Sequence, residues 1–383
     1  MENIAGKKAG LTWAVHIAVT AMVLLWLIPT IGLFVSSFRD RDQISQSGWW
    51  IAPLPVDLTF RIRVAADDQR EVDGMFVIDG NVFADPSQER WFPTGEGTVT
   101  RFGTRGAAPS EFPAGTEAEL RTGGTLVIDS DGRFQLRNDE AFSRPVTLYF
   151  EARTPPRFTT RNYRTVLTAD GMDRAFLNTM TVTIPATVIP ILIAAFAAYA
   201  LAWMDFRGRG VLIACVVGLL VVPLQLALVP LLNFHNQIGI GQSFLGIWLA
   251  HTGFGMPLAI YLLRNYMAGL PRDIIESARV DGATDFQIFV RIILPLSFPA
   301  LAAFSIFQFL WTWNDLLVAK VFLPAGSETQ VMTVKIADDL LGSRGGDWGI
   351  LASAAFVSLA VPLVVFFTMQ RYLVRGLLAG SVK

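Results

Sequence analysis

The chain has 383 residues, 52% of them hydrophobic and only 16% charged, with 28 Phe and 10 Trp, and that balance excludes an ordinary soluble protein of this size. A formal net charge of −1 gives no basic field for a nucleic acid, so no such partner is expected. In chain order, the apolar excess falls into six runs, 12–36, 176–203, 211–232, 243–263, 297–318 and 349–370. Apart from Asp315 near the end of the fifth, none holds an Asp, Glu, Lys or Arg. About 20 helical residues at 1.5 Å each cross roughly 30 Å of hydrocarbon, and every run is long enough. The expected fold class is an all-α polytopic membrane protein with six transmembrane helices in contact with lipid.

The charges are unevenly placed. Between Asp57 and Asp173 lie 19 of the 32 acidic residues, 14 Arg and no Lys. Lys7 and Lys8, the connections with Arg207, Arg209, Arg264, Arg272, Arg279 and Arg291, and the tail with Arg371, Arg375 and Lys383 fall on the opposite side if six helices alternate. The positive-inside rule makes that side the cytoplasm, with both termini there and residues 41–173 outside. The first run is longer than a secretory signal core and lacks a small-residue cleavage site, so it reads as a retained anchor. Three regions follow: 1–40 with the first span, 41–173 as an external insert, and 174–383 with five spans and a long cytoplasmic connection at about 268–294. The single cysteine, Cys215, lies in the third run, so the insert must fold without disulfides.

The insert reads as a small β-sandwich or barrel of about 100 residues. "MFVIDGNVF" (75–83) and "TLVIDSDGRFQLR" (125–137) each set Asp-Gly between strand-forming runs, which predicts a tight hairpin turn in each. "PVTLYFEAR" (145–153) alternates apolar and polar, as a half-buried strand does. Asp129 and Asp131 resemble a fragment of a calcium loop, but the later ligands are missing and a turn is the better reading. The insert has no His or Cys, so zinc sites and the common hydrolytic dyads are unavailable to it, and no metal site is expected.

"ESARVDGATDFQIFVRIILPL" (276–296) is too polar to span and too apolar to be a mere connection. Pro271 suits the start of a helix, with Ile274, Ile275 and Ala278 on one face. Gly282 is a left-handed stop, and Thr284 with Gln287 a capping-box start. A second helix then places Phe286, Phe289, Val290 and Ile293 on one side. This helix–turn–helix either packs only on the ends of its own spans or meets a further protein.

Here the residues carry a resemblance. Glu276-Ser277-Ala278, three residues, Gly282, nine residues and Ile292-Ile293-Leu294-Pro295 resemble the "EAA" signature of permease subunits of binding-protein-dependent ABC importers. Ser277 replaces the signature's middle alanine, a small-for-small change. "NYRTVL" (162–167), "FLNTM" (176–180), "WTWNDLL" (311–317), "DWGILASAA" (347–355) and "QRYLVRGLLAGSVK" (370–383) are similar to the smaller maltose-type permease subunit, and the large insert to α-glucoside permeases. The resemblance implies a type I importer permease fold in a bacterial inner membrane. It implies a coupling element, Glu276, Ser277, Ala278, Asp281, Gly282, Ala283, Ile292, Leu294 and Pro295, docked on an ATPase. It also implies a tail, Gly376, Ala379 and Gly380, at the ATPase interface, with a solvated tail as the alternative. Implied partners are a homologous second permease, two copies of a P-loop ATPase and a sugar-binding protein. The external 319–348 loop resembles the family loop that probes that protein's sugar cleft.

None of the five lysines sits in a G-x-x-x-x-G-K-[S/T] loop, so the chain is expected to be no enzyme, with ATP and Mg held by the partner ATPase. By helical rise, Gln225, His251 and Gln308 lie at similar depths, about 16–21 Å from the cytoplasmic ends. With Trp248, Trp311 and Asn314 they are candidates for a sugar route, or else polar contacts between helices. Prolines 185, 190, 223, 230, 257 and 299 fall in the spans as kinks or hinges. Together these readings give an importer permease for an α-glucoside such as maltose, trehalose or sucrose. A stand-alone secondary transporter is the alternative, for which Asp315 is the one intramembrane carboxylate. A membrane-anchored receptor using the β-domain is another.

Overall fold

A computed structural model describes residues 9–379 except 122, 327 and 341–346. It divides into two compact units, Met1–Asn162 and Tyr163–Lys383. The first begins with α1 (Ala9–Ser37), apolar on every side and exposed from Leu11 to Ile31, as a helix solvated by lipid must be. A short helix, α2 (Arg41–Gln46), and a 3-10 turn (Trp49–Ile51) lead into the strands.

The β-rich insert is present as two antiparallel sheets. One has the order β1-β9-β4-β5, with β1 (Val56–Val64) and β9 (Val146–Thr154) paired over their full length, β4 (Thr98–Gly103) and β5 (Phe112–Pro113). The other has the order β2-β3-β8-β7-β6, comprising β2 (Arg70–Val72), β3 (Met75–Asn81), β6 (Glu117–Glu119), β7 (Thr125–Ile128) and β8 (Arg133–Asn138). Alternation puts Leu58, Ile62, Leu148 and Phe150 from one sheet against Ile78, Leu126, Ile128 and Leu136 from the other in a single core. Phe83, Phe92 and Trp91 fill its end beside Phe60.

One of the two expected hairpins stands elsewhere. Asp131-Gly132 does turn β7 into β8, with Gly132 at φ +85°. Asp79-Gly80 instead lies inside β3, paired with Gln135 and Phe134. A Cβ on Gly80 would meet the Phe134 ring at 2.9 Å, so this glycine makes room for an aromatic neighbour across the sheet. The turn is one Asp-Gly earlier. Asp73 (φ 53°) and Gly74 (φ 78°) form a two-residue hairpin loop between Val72 and Met75.

The second unit is helical. After α3 (Arg161–Leu167), three helices are unbroken and apolar enough to span: α4 (Met172–Trp203), α7 (Phe244–Ala268) and the final helix, α14 (Trp348–Ala379). With α1 they make four. The third and fifth runs are not continuous helices as expected. The third is α5 (Arg209–Leu219) and α6 (Leu224–Gln237), bent by 108° where Pro223 removes a backbone donor. At the start of the fifth, the preceding segment Asp285–Leu296 meets α11 (Phe298–Trp313) at 69° around Ser297-Phe298-Pro299. Its helix stops at Trp313, short of 318, because the Asp315 carboxylate accepts from Ala319 N (3.1 Å) and starts a separate short helix, α12 (Leu317–Phe322). Pro185, Pro190, Pro230 and Pro257 sit inside unbroken helices. α4 and α7 approach closely because Ala194, Ala195 and Ala198 face Ala259, Leu263 and Met267.

Candidate functional site: the helix–turn–helix and the polar interior

α8 (Arg272–Val280) begins after Pro271 and closes on a Schellman turn. Ala283 N donates to Ala278 O and Gly282 N to Arg279 O, both at 3.0 Å. Gly282 has φ +80°, and nothing lies within 4 Å of where its Cβ would be, so backbone conformation alone calls for glycine. α9 (Asp285–Ile288) starts on the capping box: Gln287 N donates to Thr284 Oγ1 (3.3 Å) and Thr284 N to Gln287 Oε1 (2.9 Å). A π-helical turn (Phe289–Ile293) and α10 (Leu294–Leu296) complete the segment.

The apolar face divides in two. Ile275, Ile288, Phe289 and Ile293 are buried with Ala198, Tyr199, Leu263 and Met267 of the spans. Phe289 lies against Phe196 and Tyr199, ring centroids 4.7 and 5.2 Å away. Polar ties reinforce this seat: Tyr199 OH donates to Asp285 Oδ1 (3.3 Å), Arg279 pairs with the same carboxylate (3.3 Å), and Trp203 Nε1 donates to Met267 O (3.0 Å). Ile274, Val280 and Phe286 remain exposed, at 42%, 88% and 65%. Phe286 and Val290 are therefore not on the side of Phe289 and Ile293. The underwound π-turn brings Ile293 beneath Phe289 and leaves Phe286 and Val290 outside. Ile288, buried here, was not foreseen from an ideal helical period. Glu276, Ser277, Asp281, Gly282 and Pro295 are exposed; Ala278, Ala283, Ile292 and Leu294 are half-buried. Gly376 and Ala379 fall in the last turns of α14, and Gly380 lies outside the described residues.

Of the interior candidates, the fold brings together His251, Gln308 and Trp311. Gln308 Nε2 donates to Ala186 O (3.0 Å) and His251 O (3.5 Å), and its amide fills the space that a Cβ on Gly255 would need. The Trp311 ring stands edge-on to His251 at 5.4 Å. Trp248 is half-buried and donates to Thr181 O (2.9 Å), Asn314 is exposed and donates to Leu310 O, and Gln225 is exposed on α6. Thr183 and Thr312 were not singled out in the sequence. With His251 and Asp315 they line a cavity of about 10 Å³, room for one water, with His251 Nε2 3.8 Å from Asp315 Oδ2. Threonines on apolar helices are common back-bonders, so no sequence signal marks these two.

Long apolar helices with a polar interior, and a capped amphipathic hairpin seated at their ends, define a polytopic membrane protein. The chain belongs to the family of binding-protein-dependent transport system inner membrane components, which matches residues 174–378. It is 58% identical to the alpha-glucoside transport system permease protein AglG of Rhizobium meliloti (strain 1021), over 98% of both chains. It is 41% identical to the osmoprotective compounds uptake permease protein GgtD of Synechocystis, over 96% of this chain and 91% of that one. The trehalose transport system permease protein SugB of Mycobacterium tuberculosis is 34% identical over 60% of this chain and 84% of its own. A crystal structure of a bacterial ABC transporter that imports alginate aligns with 57% of this chain and 81% of its own, at 23% identity and a TM-score of 0.47.

Proposed function

We propose that this chain is one of two homologous permease subunits of an ABC importer that brings an α-glucoside into a bacterial cell. The observation that carries the substrate class is the 58% identity to an alpha-glucoside permease along the whole chain, insert included. Each bent helix pair counts as one span, giving six, with both termini cytoplasmic and the 41–173 insert outside. ATP and Mg are held by two copies of a partner ATPase, and sugar is delivered by a soluble or lipid-anchored binding protein at the 319–348 loop.

The chemistry of this chain is mechanical. The exposed Ile274, Val280 and Phe286 with Glu276 and Ser277 form the surface offered to the ATPase. Buried Ile275, Ile288 and Phe289 transmit its displacement to the ends of α4 and α7. Closure of the ATPases on ATP then turns the spans outward, and hydrolysis returns them, as alternating access requires. The interior groups His251, Gln308, Trp311 and Asn314, with Trp248 and Gln225, serve sugar passage only where the second permease completes a wall. The tail from Gly376 contributes at the ATPase interface.

The test is Phe286→Cys or Glu276→Cys in a Cys215→Ser background, expressed in its native cell and treated with a short bifunctional cross-linker. A covalent product with a P-loop ATPase, and transport lost when the link forms, is the expected result. Uptake of the sugar without ATP, or no ATPase in the product, would overturn the reading.

A further inference from the structure

Between the end of α1 and the first strand, the chain doubles back on itself. The buried Arg39 guanidinium donates to Gln43 O (3.0 Å), Ser47 O (3.0 Å) and Ser47 Oγ (2.5 Å), closing a small loop over Asp40–Ser47. Two successive turns follow, Ala52 N to Trp49 O (3.2 Å) and Leu54 N to Ile51 O (2.9 Å). Closure brings Trp49 onto Gly32, where a Cβ would meet the indole Nε1 at 2.6 Å. Gly32 lies five residues before the last residue of α1, so the indole sits about 7.5 Å back along the helix from its end. A segment that has already left the span has thus returned to its depth.

What this return exposes is apolar. Trp50 is 70% and Leu54 58% exposed on the turns that carry Trp49, and α1 itself exposes Ile31, Leu33 and Phe34 around Gly32. The patch therefore lies beside the end of a helix long and apolar enough to cross a membrane. Just beyond the end of α1, buried Asp40 pairs with both Arg90 and Arg161, and the Arg90 and Arg157 guanidinium groups flank Trp91 at 5.4 and 5.1 Å. Two arginines thus share one buried carboxylate, which neutralises only one of them, and Arg90 and Arg161 are 40% and 58% exposed. Indole at the interface with excess guanidinium above it matches the vertical order of acyl boundary and phosphate in a leaflet.

We propose that residues 48–54 form an interfacial hook that inserts Trp50 and Leu54 into the phospholipid leaflet on the insert's side, with Arg90 and Arg161 at the phosphates. The hook fixes the height of the root of the β-sandwich on the membrane through a covalently short connection, independently of any protein partner. Gly32 is the seat that lets it approach, and Trp49 is the wedge.

Depth can be read directly. In full-length chain with Cys215→Ser, assembled with its partner subunits in phosphatidylethanolamine–phosphatidylglycerol bilayers, nitroxides are placed at Trp50→Cys and, separately, Leu54→Cys. Glu119→Cys on the exposed edge strand β6 is the aqueous reference. The expected result is oxygen accessibility several-fold above that to a water-soluble nickel chelate at 50 and 54, with the opposite order at 119. If both labels respond like 119, the hook is in water and the proposal fails. Labels shielded from oxygen and nickel alike would mean that a protein subunit covers the patch, which overturns it equally. The Leu54 label keeps the test decisive if Trp50→Cys does not assemble.

Discussion

In the β-sandwich, Phe102, Phe150, Leu126, Leu136 and Leu148 are completely enclosed, while Asp79, Glu117, Glu119 and Arg137 stand on the outside. The helical unit has the reverse arrangement. Leu177, Leu192, Leu363, Val364 and Phe367 project outward, and Thr183, His251, Gln308 and Thr312 are inside. Both patterns minimise unfavourable solvation, but in different solvents. Water drives apolar groups together in the sandwich. In lipid the tails are as apolar as leucine, so small residues and polar pairs hold the helices, as Ala198 and Gln308 do.

The sharpest way to break this contrast is to delete the same side chain in both places. Phe150→Ala, in the sealed core, is expected to destabilise the insert by about 3–5 kcal/mol, seen as early proteolysis within 56–154 on warming. Phe367→Ala, on the outer face of α14, is expected to change the melting of the whole chain by less than about 0.5 kcal/mol. Equal losses at the two positions would make the outer face of α14 a protein seam and not a lipid surface. Next in size, Asp40→Ala leaves Arg90 and Arg161 without their shared carboxylate. Because both arginines are partly solvated, the expected loss is about 2 kcal/mol in thermal unfolding, and it should shrink little with salt since Asp40 itself is buried. Gly282→Ala asks a Cβ to sit at φ +80°, with an expected cost of about 1 kcal/mol, and Gly282→Asn should recover part of it. Smallest of all in stability is Phe286→Ala, within about 0.5 kcal/mol, yet it should lower the yield of co-purified ATPase several-fold. A variant that keeps full ATPase yield would remove Phe286 from the docking surface.

Much of this was legible along the chain, and the failures have local causes. The helix–turn–helix was readable because each end carries its own punctuation: Gly282 must be left-handed, and Thr284 with Gln287 satisfy donors within four residues. The face of its second helix was misread because underwinding over Phe289–Ile293 depends on the seat beneath it. Asp79-Gly80 looked like a hairpin because that dipeptide suits one, but the ring of Phe134, over fifty residues on, claims the space. The two breaks in the bundle likewise follow Pro223 and Pro299, whereas Pro185, Pro190 and Pro257 leave their helices intact. A proline removes the same donor everywhere, and whether the helix then bends depends on what its neighbours supply.

The sequence by itself determined the solvent, the alternation of the strands and the punctuation of the helix–turn–helix, because runs of about twenty apolar residues, period-two patterns and short-range caps are local properties. Only the tertiary structure decided which Asp-Gly turns, which apolar residues of the hairpin stay uncovered, that Trp49 returns to Gly32, and that Thr183 and Thr312 meet His251 and Asp315. Each of those outcomes rests on contacts between residues distant along the chain, and the free energy of such a contact belongs to the pair and not to either sequence segment alone.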